Sequence, residues 1–322
     1  MPEDVRLVDI RRGPLTESVH RGWLVVCNPN GEILDANGDP NGYTYVRSSA
    51  KPFQAVPLVL SGAADALALT DEEIAIACAS HSGEEQHLSL VRSILSKAGL
   101  SESHLQSGTH RPFYGPASAS LARNGVSPSA LHGNCSGKHA GMLALCVYEG
   151  WSTEDYRKPE HPVQRRILEI VAEVCGISRD EVLLGGDGCG VPSFAMPLRS
   201  LATGFARLAT SEGLSDDLAE ACGRVRRSMR ANPYLVGGTG RFDTDLMGDT
   251  DLVVKGGAEG VFACGSPDGW GMALKISDGS SRAVKPTALS TLSRQGVALS
   301  EKMQSELYDL HGAIVGEIFP LA

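Results

Sequence analysis

Ser48-Ser49-Ala50-Lys51 is an S-x-x-K string, with a lysine three residues behind a serine. On a helix these two positions share a face, which predicts the Lys51 amine within reach of the Ser48 hydroxyl. A serine becomes a nucleophile when a neighbouring base removes its proton, and here the base is an amine in place of an imidazole. The string therefore points to acyl transfer. Taken alone, it is also what a serine and a lysine on a solvated helix face would look like.

Working outward, Trp23-Leu24-Val25-Val26-Cys27 and Glu32-Ile33-Leu34-Asp35 flank Asn28-Pro29-Asn30-Gly31. That turn chemistry predicts a β-hairpin over Gly22–Ala36. The apolar run Pro52–Leu60 reads as a helix with proline in its first turn, and Thr70-Asp71-Glu72-Glu73 as a capping box. Further helices are expected at Gln86–Ala98, Lys138–Tyr148, Val163–Cys175, Pro197–Leu208 and Asp216–Met229. Short β runs return at Leu252–Lys255, Val261–Cys264 and Gly271–Ile276, and two helical segments, Thr287–Val297 and Ser305–Ile318, follow. This order predicts an α+β fold in a single catalytic domain over residues 1–322. An antiparallel sheet from residues 1–46 and 240–322 would be flanked by helices, with a mostly helical insert over 47–239. Residues from both ends of the chain and from the insert can then meet in one cleft.

The 322 residues carry a net charge of −9, and no basic run appears, which argues against nucleic acid as a partner. With 37 glycines and 5% aromatics, the chain is built from small residues and tight turns. No stretch approaches the roughly 18 apolar residues that span a bilayer, and residues 1–6 show no export signal. The eight scattered cysteines then read as free thiols or metal ligands in a reducing cytoplasm.

Three more strings carry chemistry. Lys255-Gly256-Gly257 ends an apolar strand and resembles the K-T-G element that accompanies S-x-x-K in β-lactamases and penicillin-binding proteins. A second lysine has a use beside the first. Lysine's reference pKa is about 10.4, and a nearby cation together with burial lowers it. Ala79-Ser80-His81-Ser82-Gly83-Glu84 reads as a site loop, with Ser80 a proton relay or second nucleophile and His81 a polar loop residue. The glycine-dense strings His132-Gly133-Asn134-Cys135-Ser136-Gly137-Lys138-His139 and Gly185-Gly186-Asp187-Gly188-Cys189-Gly190 put two thiols on separate loops. With no C-x-x-C, two free thiols outweigh a metal site on spacing alone.

Five strings in order resemble the rhizobial-type L-asparaginases over nearly the whole length: Arg47–Pro52, Ala79–Glu84, Asn134–Met142, Asp187–Pro192 and Lys255–Gly260. The resemblance implies a serine β-lactamase/glutaminase-like fold, a homodimer, and hydrolysis of L-asparagine to L-aspartate and ammonia. It implies Ser48 with Lys51 and Ser80 with Lys255 as two catalytic Ser–Lys pairs. It makes Cys135, Lys138 and Cys189 the ligands of one zinc ion per chain, which reverses the reading from spacing. Arg47, Asn134, His139 and Asp187 match positions near the substrate or the metal. The alternative is another cytoplasmic Ser/Lys hydrolase acting on glutamine, esters or β-lactams.

Overall fold

A computed structural model describes residues 2–300 and 306–321. Among them the strands are β1 (Val5–Arg12), β2 (Leu15–Cys27), β3 (Ile33–Asn37), β4 (Tyr43–Tyr45), β5 (Leu183–Gly186), β6 (Pro192–Pro197), β7 (Val253–Gly256), β8 (Val261–Ser266), β9 (Trp270–Ile276), β10 (Glu306–Tyr308) and β11 (Ile314–Pro320). The helices are α1 (Lys51–Leu60), α2 (Ala63–Ala66), α3 (Asp71–Ala77), α4 (Glu85–Lys97), α5 (Gly115–Arg123), α6 (Ser136–Tyr148), α7 (Pro162–Cys175), α8 (Leu198–Thr210), α9 (Asp216–Ala231), α10 (Pro233–Val236), α11 (Phe242–Asp249) and α12 (Val284–Arg294). None is long and apolar enough to cross a membrane.

The main sheet is antiparallel, in the order β10-β11-β1-β2-β9-β8-β7, with β3 also on β2. The long β2 serves two neighbours along one edge. Its first half pairs with β1 and its second half with β3 across the Asn28–Gly31 turn. Strands from the two ends of the chain thus share one sheet, as expected of the α+β reading. Every residue of β8, and all of β9 but Lys275, is buried, so both faces of the sheet are covered.

Helix α8 lies against β9, β8 and β2, and α12 packs on β11, β1, β9 and β8. Two glycines allow the α8 contact. A Cβ on Gly265 or Gly271 would sit 2.1 Å from the backbone oxygen of Phe205 or Ala202, so only glycine lets the helix backbone rest on the sheet. On the far side of α8, helix α1 is almost wholly buried, packed by α6, α7 and α9. The Thr70 capping box is formed, with Thr70 Oγ1 accepting from the Glu73 N–H and Glu73 from the Thr70 N–H.

Two expectations fail. The helix expected over Ser305–Ile318 is absent: from residue 306 onward the chain forms the hairpin of β10 and β11, while Ser305 lies outside the described residues. Asp309 drives the turn, its side chain accepting from the N–H groups of His311 and Ala313, and Gly312 supplies a left-handed φ of 82°. Pairing of β11 with β1 then overrides local helical periodicity. Residues 43–45 also leave the main sheet. As β4 they join β6 and β5 in a separate three-stranded sheet inside the helical region, whose β5–β6 turn is the string Asp187-Gly188-Cys189-Gly190.

Candidate active site

A cavity of about 500 Å³ opens between the β7 edge of the sheet and the helical region. Ser48, Ser80 and Asn134 come to its wall from the helical side, and the Gly256–Phe262 turn and the start of α11 from the other. Ser48 sits in a 3-10 turn, Arg47–Ala50, that precedes α1. Arg47 takes a left-handed φ of 51° there, a conformation that costs a side-chain-bearing residue energy and collects at functional sites.

Lys51, the first residue of α1, is fully buried. Its amine lies 2.7 Å from the Ala79 carbonyl, 2.9 Å from Ser80 Oγ and 3.4 Å from the Asn134 carbonyl. None of its hydrogen bonds goes to Ser48. The i,i+3 relation assumes one continuous helix, whereas the chain changes from a 3-10 turn to α-helix between these two residues. Burial lowers the Lys51 pKa; Cys135 opposes this, and the cations Lys138 and Lys255 reinforce it.

Lys255 is likewise buried, but it bonds to Asp243 Oδ2 at 2.6 Å and to the Gly256 carbonyl at 2.9 Å, not to Ser80. Burial raises the Asp243 pKa, and the Lys255 ammonium with the Gly256 N–H more than reverses this, holding the carboxyl below its usual range. Asp243 follows the run Gly237-Gly238-Thr239-Gly240, whose glycine density was a usable signal that this loop approaches a site. Ser49, between the motif residues, donates to the Lys255 carbonyl at 2.8 Å and ties the two strings together.

Behind Lys51 the thiol loops converge. Lys138 Nζ lies 3.2 Å from Cys189 Sγ, and the Asp187 carboxylate is 3.6 Å from Cys189 and 3.9 Å from Lys138. Gly137 makes the close approach of α6 possible, since a Cβ there would meet the Ile76 carbonyl oxygen at 2.1 Å. Cys135, just before α6, is driven well below the ordinary thiol range. The cause is first the neighbouring Cys189 thiol, aided by the Lys51 and Lys138 amines against burial. The same contact and burial raise Cys189, so the two thiols are driven in opposite directions. Burial would lower Lys138, but Cys135, Cys189 and Asp187 together raise it.

The zinc implied by the resemblance can be tested against these donors. Among the described residues no three His, Cys, Asp or Glu side chains gather as a metal site, so an ion here would need the Lys138 amine as its third donor. Two soft thiols and a nitrogen suit zinc, and binding would displace the Lys138 ammonium proton together with any remaining thiol proton, since only a free amine and thiolates coordinate. The donor set therefore fits.

Arg47 and Asp187 are bonded to each other, with guanidinium nitrogens 3.0 and 3.2 Å from Asp187 Oδ1. His139 is buried, bonded through Nδ1 to Tyr156 Oη at 2.7 Å, and burial with Lys138 and Lys51 keeps it neutral. Its Nε2 has no hydrogen-bond partner among the described residues. The Asn134 backbone N–H donates to His110 Nε2 at 2.8 Å. His81 lies in the Ser80 loop as a polar residue and is buried, 2.9 Å from Ser136 Oγ and stacked on His87, with burial first lowering its pKa.

The α+β fold thus sets a buried amine within hydrogen-bond distance of a serine hydroxyl at the wall of a cleft. The model for the family described as L-asparaginase II matches residues 8–317, and the chain belongs to that family, which indicates an amidohydrolase. No curated protein matches the chain significantly. Among solved structures, the native form of Mglu superimposes with a TM-score of 0.51 at 15% identity, over 92% of this chain and 70% of that one. Its L-glutamate-binding form gives 0.47 at 14% identity, over 87% of this chain and 62% of its own, so the chain spans less than two thirds of it. Bacillus subtilis glutaminase YbgJ, in covalent complex with 5-oxo-L-norleucine, gives 0.40 at 12%, over 86% and 87%. The first of these likenesses shows the shared fold.

Proposed function

We propose that the protein is an L-asparaginase that hydrolyses L-asparagine to L-aspartate and ammonia through an acyl-enzyme on Ser48. The observation that carries this reading is the bonding of Lys51, whose amine meets two carbonyl oxygens and one hydroxyl. A neutral amine offers two N–H donors and one lone pair. Ala79 and Asn134 can take the hydrogens, which leaves the lone pair for the Ser80 hydroxyl. Burial and the neighbouring cations favour that neutral form against the pull of the Cys135 sulfur.

In this scheme Ser48 attacks the side-chain amide carbon, and its proton passes through Ser80 to Lys51. The proton then returns to the departing nitrogen as ammonia leaves. Water enters and cleaves the ester by the same relay. Backbone N–H groups, that of Ser48 among them, hold the oxyanion. Lys255, fixed by Asp243, is a standing cation that disfavours a charge on Lys51. Asn134 faces the substrate, while the Arg47–Asp187 pair and His139 border the thiol loops. Cys135, Lys138 and Cys189 would hold one zinc ion, which when bound would supply a fixed positive centre behind Lys51. The cytoplasmic, homodimeric setting belongs to the same proposal.

The test is ammonia release from L-asparagine and from L-glutamine by wild type and by Ser48→Ala. Asparagine turnover that falls about a thousandfold or more in the variant supports the reading. Near-normal kcat removes Ser48 as nucleophile, and turnover of glutamine alone moves the substrate to the longer amide.

A further inference from the structure

A free amino acid is recognised by its two charges, so its site needs a cation and an anion left unneutralised by the protein itself. Arg47 and Asp187 do not meet this condition, because each is spent on the other at 3.0 Å. Neither of them lines the cavity that holds Ser48 and Ser80. Within the cavity wall the charged side chains are Arg241, Asp243, Glu259 and Lys285. Asp243 is committed to Lys255. Lys285 lies 5.8 Å from the centre of the Phe242 ring and is engaged by a further interaction, so it is not free.

Arg241 and Glu259 remain. Among the described residues the Arg241 guanidinium has no hydrogen bond and no ion pair; it lies 5.5 Å over the ring of Phe113, another wall residue. That distance is within cation–π range of the ring, and a guanidinium with no partner in the protein keeps its planar fork of donors available to a carboxylate. The Glu259 carboxylate likewise accepts no hydrogen bond and forms no ion pair there. Lys275, the nearby amine, bonds to the Glu259 backbone carbonyl instead. Glu259 also holds a left-handed φ of 58° in the turn after β7. A glutamate kept in that conformation between Ala258 and Gly260, where glycine would be unstrained, marks a side chain retained for what it faces.

We infer that Arg241 and Glu259 are the charge pair that recognises the substrate, Arg241 taking the α-carboxylate and Glu259 the α-ammonium of the amino-acid amide. This deepens the asparaginase reading and rests on it for the identity of the substrate. It also gives the cavity an orientation. The charged end of the substrate lies toward α11 and the β7–β8 turn, and its side-chain amide lies toward Ser48.

The test pairs Arg241→Gln and Glu259→Gln with three amides: L-asparagine, β-alaninamide (no α-carboxylate) and succinamate (no α-ammonium). Arg241→Gln should raise KM for L-asparagine about tenfold or more and leave kcat/KM for β-alaninamide unchanged. Glu259→Gln should do the same for L-asparagine and leave succinamate unchanged. Arg241→Lys, which keeps the charge without the fork, should fall between. Equal losses on all three amides, or an unchanged KM for asparagine, overturn the assignment. Calorimetric binding of L-aspartate reads the pair without turnover: an unchanged Kd in Arg241→Gln overturns it. A protein that hydrolyses no asparagine, yet loses L-aspartate affinity at least tenfold in that variant, keeps the pair and loses the proposed activity.

Discussion

Lys51 and Lys138 each enter the interior from the first turn of a helix, α1 and α6, and each is at most 3% exposed. Their amines are nevertheless driven in opposite directions, Lys51 toward the neutral form and Lys138 toward the charged one. Burial penalises both alike, so the neighbours decide. Lys138 faces two sulfurs and the Asp187 carboxylate, which supply the negative charge that a buried ammonium needs. Lys51 faces carbonyl dipoles and a hydroxyl; the Cys135 sulfur favours its charge, but burial together with the cations Lys138 and Lys255 outweighs it. One cluster therefore drives one buried lysine toward its neutral form and, with no metal bound, holds another charged, and the distinction lies in which groups the loops bring to each.

The largest effect should come from erasing that distinction. A guanidinium keeps its proton throughout the working pH range, so Lys51→Arg retains a cation where a lone pair is required. Asparagine turnover should fall about a thousandfold or more, with far-UV circular dichroism unchanged. A Lys51→Arg enzyme within tenfold of wild type would break the comparison, because a permanently charged residue would then be doing the work assigned to a neutral amine.

Much of this arrangement is legible in the amino-acid sequence, for local reasons. Asn28-Pro29-Asn30-Gly31 and Thr70-x-x-Glu73 dictate their own turn and cap, and the S-x-x-K and K-G-G strings name three of the groups that surround the cavity. What escapes is set by distant partners. The segment 306–320 is apolar at spacings a helix could use, and it is a hairpin because β1, some 300 residues earlier, offers an edge. The Asx turn at Asp309 and Gly312 is the local cue for it. Pairings across the site are equally unreadable: nothing in the spacing of 48, 51, 80 and 255 says that Lys51 will choose Ser80, or that Lys255 will choose Asp243.

That last choice gives the next largest effect. The folded-state pKa of Asp243 is depressed, burial being outweighed by the Lys255 ammonium and the Gly256 N–H. A depressed carboxylate stabilises the fold above its unfolded value, about 3.9, and the contribution is lost as pH falls through the folded value. Asp243→Asn should therefore cost about 3 kcal/mol at pH 7, seen as a lower midpoint in urea. The gap to wild type should close as the pH is taken below about 4. A gap that stays constant from pH 7 to pH 3 would mean that the pair contributes packing and not charge, and Lys255 would lose its claim to be a standing cation.

The smallest effect sharpens the other side of the comparison. Cys189→Ser keeps the side chain's size and removes a soft donor, so zinc measured by elemental analysis should drop below that of wild type. KM for asparagine should rise about tenfold while kcat changes less, since Ser48, Ser80 and Lys51 are untouched. Unchanged metal content would take Cys189 out of the ligand set. Wild-type protein purified without metal would leave the two thiols driven in opposite directions by each other. In that case the charge on Lys138 would rest on Cys135, Cys189 and Asp187 alone, and its contrast with Lys51 would be a matter of anions placed by two glycine-rich loops.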